Sequence, residues 1–585
     1  MTTFDFVTTG WGSLKPGIER AVEARMRLFE KKHWLYRLVT TELDLHLHEN
    51  TKASQILDTQ VVNLFDFFAG DLEVEEHKYG LDALQKELAT NASNLKFEKD
   101  GPSSGTISND VRIIKRVYFN QATEEVTEID TYDDQEHKTG TDFFDSRGFK
   151  AIHDIFDEDN HLISQILYNS KGEKYFQTSY RYDQEKRKVI PVLYQLDWRG
   201  NEYVFNGINE LNRFFFDALT YTDSEKHVML IERTNELAWA VLNMTYRVPR
   251  YMYLHSDHVN SHEVTAKEDE TVVGSLNPNY EYALNHLEKW DGVIMSTKWQ
   301  EEVFQKRYGT MVPTYVIPVG YIPDDLERVD WESRTPYKVI CVARLSPEKQ
   351  QEHLIRAFES VVAKHPEARL ELWGYDNGEK KKLEKIIKET DLDNVVKFCG
   401  YDENTDPIYN SAQLSVLASN NEGFALTLLE SLAHGVPTIA YDAPYGAKSI
   451  ITDKKDGFIV PLDNINELAN KINDAFLSQT ALQRMSDNAY EDSQRYSESN
   501  IAALWQKFVA DAESRINSTT DQFNKIDNEL QSVLQALGQG QPDEDARLAA
   551  INTLGRVHDE LMSLEEQTTH CDSADHRHVP YERLG

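Results

Sequence analysis

Two carboxylates lie eight residues apart, where a predicted strand ending near Ser419 runs into a helical pattern that starts near Gly423. Glu422 precedes the helix, and Glu430 falls on roughly the same side two turns later. Carboxylates accept strongly from hydroxyls, so one could hold a sugar hydroxyl and the other a ribose diol. The small Gly423 would let a phosphate approach the free N–H groups of the helix start. The alternative is a capped helix with an ordinary surface glutamate.

A basic pair, Arg344 and Lys349, follows a second predicted strand, Lys338–Ala343. A guanidinium can hold a diphosphate through two parallel hydrogen bonds, and an ammonium adds a point charge. Together they would stabilise a diphosphate leaving group as its negative charge develops. The alternative is a loop closed by salt bridges.

His255 and His258 follow a third predicted strand, and Gly17 lies in a glycine-rich turn after a fourth. A histidine at a strand end could contact a sugar hydroxyl or the acceptor, or be purely structural. The His-x-x-His spacing also suits a metal, but no third ligand lies nearby. Gly17 could offer backbone N–H groups to a phosphate or to the acceptor, although glycines at 10, 12 and 17 do not form a dinucleotide-binding fingerprint.

The composition bounds the function class. The chain has 585 residues, and its 62 basic and 98 acidic residues give a net charge of −36, which disfavours nucleic-acid binding. Hydrophobic residues make up 40%, enough for several buried cores, although the mean hydropathy is −0.57. Three cysteines exclude a disulfide framework and suggest a reducing compartment. Lacking a recognisable signal peptide or transmembrane run, the chain is expected to be cytoplasmic and without a membrane span, although peripheral membrane association is compatible with its sequence.

The elements that must position these residues form two α/β series around a β-rich stretch. Short alternating segments with polar turns predict an antiparallel insertion, and the α/β series on either side predict two Rossmann-like domains facing a cleft. The predicted segments are the first domain in two parts (1–65 and 221–335), the β-rich insertion (66–220), the second, nucleotide-sugar domain (336–494), a helix returning to the first domain (495–515), and a helical hairpin with a flexible tail (516–585). The tail's His570, Cys571, His576 and His578 could bind a metal, but a flexible polar terminus is the simpler interpretation.

The order of these motifs resembles retaining GT-B glycosyltransferases of the family-4 type. In the second domain and just before it, the motifs are Ile317-Pro-Val-Gly320, Arg344-Leu-Ser-Pro-Glu-Lys349, Leu372-Trp-Gly374, Phe398-Cys-Gly-Tyr401, Glu422–Glu430, Gly435-Val-Pro437, Tyr441-Asp-Ala-Pro-Tyr-Gly446 and Asp456-Gly-Phe-Ile-Val-Pro461. In the first half, Lys15-Pro-Gly-Ile-Glu-Arg-Ala21, Leu254-His-Ser-Asp-His258, Pro278-Asn-Tyr-Glu-Tyr282 and the β-rich insertion resemble the catalytic subunits of bacterial protein O-GlcNAc transferases, which modify serine-rich adhesins. Wall-teichoic-acid α-glycosyltransferases share this plan. The resemblance covers about 1–512, and Ala425 stands where the adhesin enzymes have glycine.

The resemblance implies a role for each matching residue. It implies that His255, Arg344, Lys349, Glu422 and Glu430 are catalytic, with His255 on the transferred sugar, the basic pair on the diphosphate and Glu430 on the ribose. It implies that the nucleotide sugar also meets Gly17, Ile18, Glu19, Arg20, His258, Tyr401, Asp402, Gly423, Phe424 and Ala425, of which Tyr401 and Asp402 line the nucleobase pocket. No metal and no cofactor are expected.

The resemblance further implies transfer of GlcNAc or glucose, with retention, from UDP-GlcNAc or UDP-glucose to Ser/Thr hydroxyls of a Ser/Thr-rich bacterial surface protein. A homologous companion subunit is expected as a partner. Two alternatives stay open: a teichoic-acid (polyol-phosphate) α-glycosyltransferase, and a non-catalytic subunit that binds the acceptor. The acidic charge disfavours a polyanionic acceptor, and the complete catalytic pattern disfavours a non-catalytic role.

Overall fold

The structure is a computed structural model that describes residues 2–91, 95–109, 112–222, 226–259 and 274–517. It divides into two compact units, one ending at Val248 and one beginning at Pro249. This division falls inside the predicted segment 221–335, and the predicted domain boundaries stay predictions. The predicted tail hairpin and its histidines and cysteine lie outside the described residues, apart from the first two positions of that segment.

The first unit contains a parallel sheet and an antiparallel sheet. Its strands are β1 Thr2–Thr8, β2 Leu35–Thr40, β3 Val61–Asn63, β4 Lys96–Lys99, β5 Ser104–Ser108, β6 Ile113–Phe119, β7 Val126–Tyr132, β8 Lys138–Phe144, β9 Lys150–Phe156, β10 Leu162–Tyr168, β11 Lys174–Asp183, β12 Lys188–Trp198, β13 Asn201–Phe205 and β14 Lys226–Ile231. Its helices are α1 Gly17–Lys31, α2 Leu47–Ala53, α3 Leu64–Ala69, α4 Leu81–Asn91, α5 Ile208–Thr222 and α6 Thr234–Leu242. The parallel order β14-β1-β2-β3, with α1 after a glycine-containing turn, confirms the predicted α/β opening.

Strands β4 to β13 form one antiparallel sheet in sequence order, which confirms the β-rich insertion. Three helices that the sequence analysis did not predict accompany it: α4 lies within the predicted limits, and α3 and α5 cross them. Helix α4 covers one face of the sheet, where Leu81 and Leu84 join a core with Ile107 and Val117. The insertion is therefore a sheet with its own helical cover.

Arg147, between β8 and β9, links the insertion to the segment after β3. Its guanidinium donates to Asp145 at 2.8 Å and to Asp66 at 2.7 Å, and to the backbone carbonyl of Asp71 at 2.8 Å. Arg147 is 5% exposed. A buried guanidinium requires this degree of pairing. The network therefore holds the turn between β8 and β9 against α3 and the segment that follows α3.

The second unit contains two sets of parallel strands. Its strands are β15 Arg250–Leu254, β16 Gly292–Met295, β17 Thr314–Val316, β18 Lys338–Val342, β19 Arg369–Trp373, β20 Val396–Gly400, β21 Leu414–Leu417, β22 Thr438–Tyr441 and β23 Gly457–Val460. Its helices are α7 Pro278–Asn285, α8 Lys298–Tyr308, α9 Gln351–Lys364, α10 Lys380–Glu389, α11 Asp406–Ser411, α12 Leu426–Ala433, α13 Ala447–Ile450, α14 Ile465–Phe476, α15 Gln479–Ser493 and α16 498–517. One set pairs β15, β16 and β17, and the other has the order β20-β19-β18-β21-β22-β23.

The chain crosses between these two sets at two places that lie side by side. The backbone N–H of Ile322 donates to Tyr496 at 3.0 Å, and that of Glu498 donates to Ile322 at 2.8 Å. Helix α16 then packs on the first set, where the Phe508 ring meets Tyr251 at 4.8 Å between ring centroids. Within the described part of the chain, no helix is both long and apolar enough to cross a membrane.

Candidate active site

Two loops of the second unit meet because the strands before them are neighbours. Strands β18 and β21 are parallel and paired, so the chain leaves both of them at the same edge of the sheet. The loop after β18 carries Arg344 and Lys349, and the loop after β21 carries Glu422. This topology joins a basic and an acidic motif that are 73 residues apart in sequence.

Lys349 and Glu422 form an ion pair, with 2.7 Å between Nζ and Oε1. Their side chains are 16% and 12% exposed, so the pair is largely shielded from water but open at one side. A shielded ion pair is stronger than one on the open surface. The structure thus brings together one cation and one carboxylate that the sequence analysis singled out separately.

Arg344 pairs with Glu348 rather than with either predicted carboxylate. The distance from Nη2 to Oε1 is 2.9 Å, and the two side chains are 42% and 37% exposed. Burial opposes ionisation of Glu348, but a hydrogen bond from Ser346 and the neighbouring cations hold its pKa below the usual value. The salt-bridged loop is therefore present, while the exposed guanidinium remains accessible to a phosphate.

Gly423 lies where two backbone segments come into close contact. A Cβ atom at this position would lie 2.1 Å from the carbonyl oxygen of His255 and 2.9 Å from Cα of Ser256. The missing side chain thus lets two backbone segments touch, and a contact of the Gly423 backbone with a phosphate stays a prediction. The contact places the end of β15 directly against the Glu422 loop.

The helix after this loop begins later than predicted. Helix α12 starts at Leu426, and Ala425 before it adopts a left-handed conformation with φ +69°. A residue with a Cβ is strained there by about 1–2 kcal/mol relative to glycine. Phe424, just before Ala425, is buried, with its ring edge-on to Tyr496 at 5.6 Å. This packing fixes the turn.

Glu430 lies on α12, where its carboxylate accepts a hydrogen bond from the Tyr409 hydroxyl at 2.9 Å. Tyr409 is fully buried, and its ring stacks on His434 at 5.2 Å. The partner from α11 fixes the rotamer of Glu430 before any ligand is bound. A ribose role for Glu430 stays a prediction, and its position on the site helix is compatible with that role.

The two histidines after β15 have different environments. The ring of His255 is partly exposed and stacks on Tyr253 with 4.5 Å between centroids. His258 is completely buried between Phe304 and Tyr445, and among the described residues neither of its ring nitrogens has a hydrogen-bond partner. Burial, with Arg307 nearby, lowers the pKa of His258 to about 3. His255 is thus placed to reach a ligand, whereas the burial of His258 weighs against its predicted nucleotide contact.

The remaining predicted residues lie apart from the Lys349–Glu422 pair in sequence. Tyr401 follows β20 and is partly exposed, with its ring 6.0 Å from that of Tyr375, and Asp402 is exposed. Both lie at the same edge of the sheet as the site loops, because β20 runs parallel to β19. A nucleobase contact there stays a prediction.

The glycine-rich loop before α1 belongs to the first unit. Gly17 and Ile18 begin α1, with Gly17 exposed and open space where its Cβ would lie. Glu19 is 6% exposed and forms an ion pair with Arg233, so its carboxylate is already engaged. Arg20 is partly exposed. The structure leaves Gly17 available for a backbone contact, and the predicted roles of all four residues stay predictions.

Four residues around the site were not singled out by sequence: Glu348, Asp257, Asn421 and Tyr409. Glu348 and Asp257 lie inside the quoted motifs, but nothing in their spacing distinguishes them from neighbouring acids. Asn421 precedes Glu422, and its amide donates to Asp257 at 2.8 Å. These contacts join distant loops, so only the folded chain reveals them.

No group of three or more His, Cys, Asp or Glu side chains suited to a metal ion occurs among the residues that the structure covers. Metal independence stays a prediction.

Comparison with known proteins finds a matching family segment and several relatives. Residues 324–492 match the family model described as "Glycosyl transferases group 1", a range that includes Arg344, Lys349, Glu422 and Glu430. The O-GlcNAc transferase GtfA subunit of Streptococcus agalactiae is 24% identical over 86% of this chain and 96% of its own length. The poly(glycerol-phosphate) alpha-glucosyltransferase of Bacillus subtilis is 25% identical over 90% of this chain and 80% of its own length.

A solved structure shows the same fold. The pneumococcal O-GlcNAc transferase GtfA, crystallised with UDP and GlcNAc, superposes with a TM-score of 0.74 at 22% identity. The match covers 88% of this chain and 99% of that one. Residues 324–492 therefore carry a glycosyltransferase group 1 segment, and the superposition shows that the chain has the GT-B fold.

Proposed function

We propose that this chain transfers GlcNAc or glucose, with retention at the anomeric carbon, from a UDP-sugar to Ser/Thr hydroxyls of a Ser/Thr-rich bacterial surface protein. The observation that carries the proposal is the shielded Lys349–Glu422 pair, 2.7 Å apart, in a loop that also touches the backbone of His255. A cation beside a carboxylate suits a ligand that is anionic at one end and rich in hydroxyls at the other.

The chemistry assigns one role to each group. Lys349 and Arg344 balance the charge that develops on the departing diphosphate, Glu422 and His255 orient the sugar hydroxyls, and Glu430 binds the ribose. The acceptor hydroxyl attacks the face from which UDP leaves, and its proton passes to the leaving phosphate oxygen. The reaction is proposed to be metal-independent, because two side-chain cations are available for the diphosphate.

A polyol-phosphate acceptor is the second candidate. The similarity to the Bacillus subtilis enzyme extends over 90% of this chain, as far as the similarity to the GtfA subunits. The net charge of −36 disfavours approach of a polyanion unless the acceptor meets a local basic track. Protein acceptors are therefore favoured.

A homologous companion subunit is part of the proposal. The GtfA relatives are named as subunits, and the antiparallel insertion offers a separate surface for a second chain or for the acceptor. A non-catalytic role for this chain is disfavoured because Arg344, Lys349, Glu422 and Glu430 are all present. A cytoplasmic site of action, with at most peripheral membrane contact, completes the proposal.

The test incubates the chain, alone and with a co-purified companion, with a panel of UDP-sugars and either a Ser/Thr-rich peptide or a polyol-phosphate oligomer. Mass spectrometry should show one hexose or N-acetylhexosamine added per modified hydroxyl of the peptide. The Lys349→Met variant is the control, since it should bind the peptide but not modify it. Modification of the polyol phosphate alone would replace the proposal by its alternative, and no modification of either acceptor, with the companion present, would refute both.

A further inference from the structure

The backbone that follows β15 is held by hydrogen bonds with side chains of helices α7 and α8. The phenol oxygen of Tyr280, on α7, accepts the backbone N–H groups of His255 and Ser256, each at 3.1 Å. The Gln300 amide, on α8, donates to the carbonyl of Ser256 at 2.8 Å. These bonds fix the path of the segment but do not connect it to the loop that carries Glu422.

That connection is made by Asp257. Its carboxylate Oδ1 accepts the side-chain amide of Asn421 at 2.8 Å and that of Asn277 at 3.3 Å, and Asn277 also donates to its backbone carbonyl at 2.8 Å. Beside this bond, Gly423 rests against the carbonyl of His255. Among the described residues, this side-chain hydrogen bond and this backbone contact join the two loops.

Loss of the hydrogen bond between Asn421 and Asp257 would disturb both loops. Asp257 is only 4% exposed, and a buried carboxylate requires its donors. Asn421 immediately precedes Glu422, and Asp257 lies two residues after His255. Any change in the bond is transmitted to both predicted sugar contacts through very short stretches of backbone.

We propose that Asp257 and Asn421 are a positioning pair that holds His255 and Glu422 in register over the transferred sugar. The inference rests on the proposed function. Neither residue is assigned a contact with substrate, so each acts through its neighbour. The pair sets the rate of transfer rather than the affinity for the nucleotide, because the diphosphate contacts are assigned to Arg344 and Lys349.

The test exchanges the two side chains. Asn421→Asp places two carboxylates against each other and should lower kcat about 100-fold, since misplacement of reacting groups by about 1 Å has effects of this size. Asp257→Asn keeps an oxygen for Asn421 and should lower kcat by less than about 10-fold. The double variant Asp257→Asn/Asn421→Asp restores one donor facing one acceptor and should recover kcat to within about fivefold of wild type.

UDP affinity, measured by calorimetry, should stay within about threefold of wild type in all three variants, and Asn470→Asp, an exposed amide on α14, is the matched control. Either of two results would overturn the positioning role. One is a double variant no more active than Asn421→Asp, and the other is an Asn421→Asp variant with wild-type kcat. Thermal unfolding of the same set supplies a second double-mutant cycle. If wild-type protein transfers no sugar, the proposed function fails and the positioning role with it, whereas non-additive Tm changes would still report the hydrogen bond itself.

Discussion

Replacing Lys349 by methionine isolates the contribution of its charge, because the two side chains are similar in length. The attraction across 2.7 Å is about 6 kcal/mol at an effective dielectric constant of about 20, before the cost of desolvation is subtracted. The side chains are 16% and 12% exposed, so much of that attraction is offset, and we expect a loss of about 1–3 kcal/mol in the free energy of unfolding.

Catalysis should suffer more than stability. Removing one partner of the developing charge typically costs about 3–4 kcal/mol of transition-state stabilisation, so kcat should fall by at least about 100-fold. Steady-state transfer from the UDP-sugar measures kcat, and urea denaturation measures stability. Adding Glu422→Gln to Lys349→Met should restore stability, because no unpaired charge is left, but should not restore turnover. A folded Lys349→Met enzyme with kcat within threefold of wild type would show that this pair is structural.

Three further perturbations test separate features. Ala425→Gly should raise the free energy of unfolding by about 0.5–1 kcal/mol, because relief of the left-handed strain exceeds the added freedom of the unfolded chain, and denaturation that shows a loss would contradict this. Gly423→Ala should reduce kcat more than 10-fold by forcing the two loops apart, whereas Gly207→Ala, where a Cβ meets open space, should leave kcat unchanged. Burial, together with Asp492, raises the pKa of Asp456 to about 7 from 3.8. Between these pH values the folded chain holds a proton that the unfolded chain has lost. The free energy of unfolding should therefore fall by up to about 1.4 kcal/mol for each unit by which the pH rises. Asp456→Asn should flatten that decline in denaturation curves recorded from pH 4 to 7, and an unchanged slope would refute the assignment.

Sequence patterns predicted the second unit closely because its elements are regular. Periodicity predicts helices over Gln351–Lys364 and Lys380–Glu389 and a strand over Arg369–Trp373, and the structure has all three with these bounds. Each has apolar residues at the period of its own element, with clear polar breaks at both ends. Local information is sufficient where pattern and environment agree.

Elsewhere the sequence was ambiguous. Helix α5 contains the apolar run Phe214-Phe215-Phe216 inside a stretch of alternating strands, so a helix there was not predicted. The start of α12 was predicted three residues early, because the turn at Ala425 requires a left-handed residue and alanine gives no such signal.

The site was predicted in its residue types but not in its pairings. Lys349 and Glu422 were singled out separately, yet their contact depends on the adjacency of β18 and β21, which sequence spacing does not encode. Arg344 was expected on the diphosphate, with a salt-bridged loop as the alternative, and the structure pairs it with Glu348 in the same loop. Side-chain partners across loops depend on sheet order, which is a property of the whole fold.

The paired crossings at Ile322 and Ser497 have a consequence for how such enzymes can be recombined. The two peptides that enter and leave the intervening segment are hydrogen-bonded neighbours, so the ends of that segment nearly coincide. A block with coincident ends can be excised or exchanged without stretching the flanking chain. The intervening residues thus have the geometry of an exchangeable segment, and under the proposed function we expect a graft of them between homologues to carry the donor's nucleotide preference with it.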